Sequence, residues 1–204
     1  MEKKSVGING KISLGVVEMA LIAMLSDNIT PGYFMELART DCKGEKKAKL
    51  LLTVLNKLTV KSRLGTYLME HKMEAQSMLR NKNDRCLLMV AMMCSGYTFF
   101  YDAVTIMGKY FHVQQQVSKS LILGKLYEIY GSNRIVDVAY DCVIPMLMEA
   151  GIIIRPEKGV YEMVKQEKYS DEAKKVYVQS FLLNNPTYTE NDDIESNPYF
   201  EFVN

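Results

Sequence analysis

Apolar residues recur every three or four positions along most of this chain, and this spacing predicts a mainly α-helical protein. Glycine, proline and short polar clusters interrupt the pattern and mark the helix ends. The predicted helices cover about 13–25, 31–39, 45–60, 66–79, a stretch opening at 84, then 98–111, 118–130, a stretch from the break at 131–133 to 150, and 171–183.

The pattern changes after Gly151, a residue that can close a helix in the left-handed conformation. Two β-prone runs, 152–154 and 160–164, flank the turn 155–159 with its proline and glycine, and this arrangement predicts a hairpin. A helix followed by a two-stranded ribbon is the back half of a winged helix, which often docks on DNA. The sequence therefore predicts a multi-helix bundle with helix-turn-helix-like elements and a small winged-helix-like C-terminal hairpin.

The 204 residues suit one large domain or two small ones that share an interface. We expect an N-terminal basic helical unit over residues 1–80 and a C-terminal helical unit over 81–183 that ends after the hairpin. Residues 184–204 form an acidic tail, expected to be a loop or mobile extension, with no Lys or Arg and five acids: Glu190, Asp192, Asp193, Glu195 and Glu201.

The net charge of +1 hides a local concentration of positive charge. Residues 43–63 contain one acid, Glu45, and the seven residues that we call the basic segment: Lys43, Lys46, Lys47, Lys49, Lys57, Lys61 and Arg63. At 100° per residue, one face of the predicted helix 45–60 is apolar and an adjacent face carries Lys46, Lys57 and Lys61. The apolar face consists of Ala48, Leu51, Val54, Leu55 and Leu58. Lysine suits phosphate contact rather than base reading. A solvated helix flank is the alternative interpretation.

The hairpin offers a second basic surface through Arg155 and Lys158 near its tip. The helix before it is poorly suited to contact DNA because Asp137, Asp141 and Glu149 add negative charge. A purely structural or protein-binding hairpin therefore stays open as an alternative.

No catalytic or metal-binding pattern is present in the sequence. His71 and His112 lack Cys, His or carboxylate partners at ligand spacing, and neither a phosphate-binding glycine loop nor a GxSxG elbow occurs. The aromatic residues of 97–111 adjoin the most apolar stretch and are expected to pack in the core rather than stack on bases. We therefore expect no enzyme activity, no cofactor and no metal.

Two further patterns bear on location. Cys42, Cys86, Cys94 and Cys142 lie far apart within helical patterns, which favours reduced, mostly buried thiols and a cytoplasmic protein. The uncharged run 86–101 is shorter than the roughly 20 residues that span a bilayer, so a buried helix is expected there and no membrane association.

The chain resembles the BrxA family of bacterial BREX phage-exclusion systems. The likeness is carried by the apolar helix that begins Arg85-Cys86-Leu87-Leu88, its aromatic-rich follower 97–111, and Leu147-Met148-Glu149-Ala150-Gly151-Ile152, which is similar to that family's entry into its hairpin. It covers about residues 14–165.

The resemblance implies a non-enzymatic, double-stranded-DNA-binding accessory protein of phage defence, built from helices with helix-turn-helix-like elements. Other proteins of the defence system are expected as further partners. The alternative is a protein-interaction adaptor that docks on a larger defence component without binding DNA. If the chain is such an adaptor, the acidic tail is expected to engage a basic partner or to shield the lysines of its own chain.

Overall fold

The computed structural model describes residues 4–8, 10–27, 29–165 and 168–203. Within these residues the chain is mainly helical, as the apolar spacing predicted, and carries one small antiparallel sheet. The elements are α1 (Leu14–Leu25), α2 (Tyr33–Asp41), α3 (Glu45–Leu58), α4 (Arg63–Glu70), α5 (Lys72–Arg80), α6 (Lys82–Gly96), α7 (Thr98–Phe111), β1 (Gln116–Ser118), α8 (Lys119–Tyr130), α9 (Arg134–Glu149), β2 (Ile153–Glu157), β3 (Val160–Met163), α10 (Asp171–Asn184) and a 3₁₀ helix (Pro198–Phe202).

Polar side chains cap the first turns of helices that pack against the core. Asn81 accepts hydrogen bonds from the first backbone N–H groups of α6, and Asn133 does the same for α9. The run 86–101 divides into the end of α6 and the start of α7, and both are largely buried. None of the helices in the described part of the chain has the length and apolarity needed to cross a bilayer.

One hydrophobic core connects side chains from Ile8 to Phe202. Helix α6 lies at its centre and packs against α10, α7, α5 and α3. The expected units 1–80 and 81–183 therefore share one core, in which α6 packs against α3 and α5 of the first unit and against α7 and α10 of the second.

The predicted helix 66–79 is two helices. Helix α4 ends at Glu70 and α5 begins at Lys72, with a non-helical backbone at His71 between them (φ −112°, ψ 45°). Helix α4 lies against the carbonyl group of Thr59, and both α4 and α5 pack against α1, α6 and α10.

Gly65 is the residue that lets α4 approach this carbonyl group. A Cβ atom at this position would lie 2.0 Å from the Thr59 oxygen, so Gly65→Ala is expected to lower the free energy of unfolding by about 1–3 kcal/mol or more. Gly124 is the matched control: it lies in α8 with open space around its Cα, and Gly124→Ala is expected to raise stability by about 0.5–1 kcal/mol. Urea unfolding of both variants tests whether the two changes in the free energy of unfolding have opposite signs. An unchanged free energy of unfolding in Gly65→Ala would contradict this packing.

The hairpin is present, but its turn is shorter than predicted. Arg155 and Pro156 belong to β2, and the chain reverses at Lys158-Gly159, where Gly159 has φ +81°. Proline fits here because β2 is an edge strand, in which an N–H group facing solvent is dispensable. The sequence pattern missed β1, whose three residues pair with β3 and complete a sheet of order β1-β3-β2.

The expectation of a loop or mobile extension after residue 184 is wrong for its apolar residues. Tyr199, Phe200 and Phe202 are buried on the 3₁₀ helix, which packs against α7. The Tyr199 ring stacks on Tyr177 of α10, with 4.2 Å between the ring centroids and 9° between the planes. The acids of this segment stay at least partly exposed while its aromatic rings fill the core, so burial of the rings outweighs the local charge.

Candidate nucleic-acid interface

The basic segment extends from the turn after α2 to the first residue of α4. Lys43 lies in that turn, Lys61 lies in the connection after α3, and Arg63 begins α4, while the other four lysines belong to α3. The opposite side of α3 buries Ala48, Leu51, Leu55 and Leu58 against the core. The core therefore fixes the helix and directs its lysines to solvent.

Within α3, Lys46, Lys49 and Lys57 share the solvent face with Thr53, which lies between them. Thr53 donates a hydrogen bond to the Lys49 carbonyl oxygen. Leu50 is 55% exposed beside these lysines and interrupts their charge on one side. The face is thus a lysine and threonine surface of about three helical turns.

The carboxylate of Glu45 attracts Lys49 electrostatically, but its ion pair is with Arg39. The acid of the segment, Glu45, accepts two hydrogen bonds from the Arg39 guanidinium at 3.0 and 3.2 Å, and this contact lowers the pKa of the Glu45 carboxyl group. Among the described residues, no member of the basic segment forms an ion pair with a carboxylate. The positive charge of the segment is therefore available to an external anion.

Lys57 differs from the other six members. Its Nζ atom lies 3.8 Å from the centroid of the Tyr97 ring. Burial against this ring lowers the pKa of Lys57, whereas the negative face of the ring favours the protonated amine. The Lys57 ammonium group is thus partly held by the Tyr97 ring. Lys49 was not in the face of Lys46, Lys57 and Lys61 that the helical spacing predicted. Of Lys49 and Lys57, Lys49 is the more available to an external anion.

Arg155 and Lys158 are exposed at the end of the hairpin, on elements that are separate from the basic segment. The main packing partners of α3 are α1, α2 and α6, whereas the sheet packs against α7, α8 and α9. The structure therefore forms two basic groups rather than one continuous surface.

Apolar and charged side chains share the exposed face of α9. Ile135 and Val138 are 62% and 40% exposed, and Arg134, Asp141 and Glu149 are also exposed on this helix. The Lys119 Nζ atom lies 2.9 Å from the Asp141 carboxylate, and Glu149 accepts a hydrogen bond from the Leu14 backbone N–H and lies 3.7 Å from the Lys11 Nζ atom. Apolar side chains offer no group that contacts a phosphate, so Ile135 and Val138 add nothing to a basic surface.

The aromatic residues of 97–111 pack in or against the core, as predicted, with Tyr110 half-buried. Phe99 and Phe100 have no exposed surface, and Tyr97, Tyr101 and Phe111 are less than a tenth exposed. The hydroxyl group of Tyr130 on α8 donates to the buried Asp102 at 2.6 Å, and the Lys4 Nζ atom also contacts this carboxylate at 2.9 Å. These groups hold helices together and are not accessible to bases.

The four cysteines are free thiols, with Cys94 and Cys142 buried and Cys42 and Cys86 half-buried. Burial raises the pKa of Cys86, Cys94 and Cys142, and this disfavours the nucleophilic thiolate. Within the described ranges, no three His, Cys, Asp or Glu side chains converge in a way that would hold a metal ion. The His112 Nδ1 atom lies 3.0 Å from the Glu201 Oε2 atom on the 3₁₀ helix.

Sequence reasoning missed Thr53 and Tyr97 as members of this site. The helical spacing of Thr53 places it on the same face as the lysines, so the sequence pattern was sufficient to predict its position there. Tyr97 lies forty residues from Lys57, and no local pattern indicates that contact.

The chain matches no known family model, and no curated protein or solved structure shows significant similarity to it. The geometry and charge of the chain itself therefore carry the functional argument.

Proposed function

We propose that this is a non-enzymatic protein that binds double-stranded DNA, with the basic segment as its phosphate-contacting surface. One observation carries the proposal: the Lys and Arg side chains of this segment are exposed, and no carboxylate in the described ranges pairs with them. Lysine ammonium groups contact phosphates as point charges and leave base sequence largely unread.

Two helical arrangements support a DNA-binding architecture. Helices α2 and α3 pack against each other across a three-residue turn, in the manner of a helix-turn-helix. The order α7, β1, α8, α9, β2, β3, with β1 and β2 on either side of β3, is the order expected of a winged helix. Arg155 and Lys158 on its wing supply a second phosphate contact, and α9 contributes little because its exposed Ile135 and Val138 are apolar.

Membership of a BREX-type phage-defence system, as an accessory protein in the cytoplasm, is part of this proposal and is supported by the sequence pattern alone. The neighbouring genes test it directly. A large methyltransferase gene and a phosphatase-like gene alongside would support membership, and their absence would count against it.

Salt dependence tests the DNA-binding function. We expect labelled duplexes of unrelated sequence to bind with similar affinity in fluorescence anisotropy. Neutralising five or six phosphates gives a slope of about −4 to −6 when log K is plotted against log salt concentration. A slope near zero, or no binding at low salt, would contradict the proposed surface.

The exposed face of α9 favours a second candidate function, that of an adaptor docking on a larger defence protein. Ile135, Val138 and Met148 expose apolar surface on a helix whose acids are already paired. Blank duplex titrations, together with a purified partner whose binding is lost in an Ile135→Ser/Val138→Ser variant, would favour the adaptor over DNA binding.

A further inference from the structure

The middle of the solvent face of α3 carries hydrocarbon rather than charge. Leu50 and Thr53 lie one helical turn apart there, with Lys46 one turn before Leu50 and Lys57 one turn after Thr53. All four side chains are exposed, and Leu50 is 55% exposed, whereas the neighbouring Leu51 is buried in the core. The face therefore places two exposed side chains without charge between two cations.

Thr53 adds a methyl group rather than a hydroxyl group to this face. Its hydroxyl group donates a hydrogen bond to the Lys49 carbonyl oxygen at 3.1 Å, so that group is engaged within its own helix. The methyl group forms no hydrogen bond and is the part of the exposed side chain that remains for a ligand. Together with the Leu50 side chain, it offers an apolar contact to whatever molecule the lysines attract.

The spacing of the cations suits the major groove of duplex DNA. Lys46 and Lys57 are eleven residues apart, which is about 16 Å along a helix that rises about 1.5 Å per residue. The major groove is about 12 Å wide, admits an α-helix and has a phosphate strand along each side. When lysines at the two ends of the face contact those strands, Leu50 and Thr53 lie over the base edges between them.

Thymine presents the one apolar group on the base edges of this groove, its C5-methyl group, and the other groups there are hydrogen-bond donors and acceptors. We infer that α3 lies in the major groove and that Leu50 and Thr53 contact thymine methyl groups. The inference rests on the proposed DNA binding and adds a base preference to the lysine surface. Mixed sequences offer thymine in several registers, so duplexes of unrelated sequence still bind alike.

Replacing thymine by deoxyuridine tests this contact. The probes are two labelled duplexes of one sequence built only from A·T pairs, and the second carries uracil in place of every thymine. The two duplexes have the same phosphates and the same hydrogen-bonding groups and differ in the methyl groups. Covering one methyl group is worth about fourfold in affinity. We expect the protein to bind the thymine duplex at least about fourfold more tightly in fluorescence anisotropy.

A pair of variants localises the contact. Leu50→Ser/Thr53→Ser removes the apolar groups without changing charge and keeps a hydroxyl group at position 53. We expect this variant to bind both duplexes with the affinity that the unaltered protein has for the uracil duplex. Ile135→Ser/Val138→Ser is the matched change of exposed apolar residues on α9, and it should leave the difference between the duplexes intact. Circular dichroism of both variants checks that helicity is retained.

Three outcomes would overturn the inference. Equal affinity of the unaltered protein for the two duplexes would remove the methyl contact and leave phosphate binding by the lysines in place. Loss of the difference in the α9 variant, but not in the α3 variant, would assign the contact to α9. Absence of binding to either duplex would overturn the proposed DNA binding itself, and this inference with it.

Discussion

Tyr199→Ala is expected to lower the free energy of unfolding by about 3–5 kcal/mol, a large part of the roughly 5–15 kcal/mol that stabilises a typical protein. The side chain has no exposed surface and stacks on Tyr177, and its hydroxyl group lies 2.6 Å from the Ser180 hydroxyl. Truncation would leave a cavity among rings that cannot collapse fully. Urea unfolding followed by far-UV circular dichroism measures the change, and the absence of tryptophan makes this signal preferable to fluorescence.

Two further variants distinguish the contribution of the Tyr199 ring to stability from the contributions of its hydroxyl group and of the surrounding segment. Tyr199→Phe keeps the stacked ring and loses one hydrogen bond, so a cost of about 0.5–1.5 kcal/mol is expected. Tyr188→Ala lies in the same segment but removes a ring that is 44% exposed, and its cost should be smaller than that of Tyr199→Ala. If Tyr199→Ala were as mild as Tyr188→Ala, the segment would not be part of the core.

Reversing the charge of Lys46, Lys49 and Lys61 to glutamate is expected to weaken binding to duplex DNA at least about 100-fold near 0.1 M salt. Each substitution removes a phosphate contact and adds repulsion. Folding should be unaffected, because the three side chains are exposed and an acid at position 46 is favourable in the first turn of α3. Anisotropy titrations and circular dichroism of the same samples measure both quantities.

The control makes the same change of net charge elsewhere. Lys82, Lys109 and Lys175 are exposed on α6, α7 and α10, and their reversal should cost less than about tenfold through the general field of the protein. Lys57→Gln should also have a small effect, because this lysine is partly held by Tyr97. If both triple variants lost affinity equally, net charge rather than the basic segment would explain binding.

Local pattern was sufficient for most of the helical framework. The apolar spacing of 98–111 places α7 at its observed bounds, and the β-prone runs around Pro156 and Gly159 give the hairpin. The C-terminal segment was misjudged because its acids are frequent, while the decisive residues are three aromatics that pack against rings distant in sequence. The strand β1 likewise depends on its pairing with β3, which no local window contains.

The candidate site was predictable to the extent that it lies on one helix. Lys46 and Lys49 are exposed because Leu51, Leu55 and Leu58 occupy the opposite face of α3, and that follows from spacing alone. Spacing does not show that Tyr97 holds Lys57, because this contact joins separate elements.

The burial of Tyr199, Phe200 and Phe202 also has a consequence for biosynthesis. These residues leave the ribosome after every helix they pack against, so α7 and α10 keep an uncovered aromatic surface until residues 199–202 have been synthesised. A nascent chain stopped before residue 199 would keep that surface exposed, and it would be a substrate for chaperones and proteases rather than a shorter working protein.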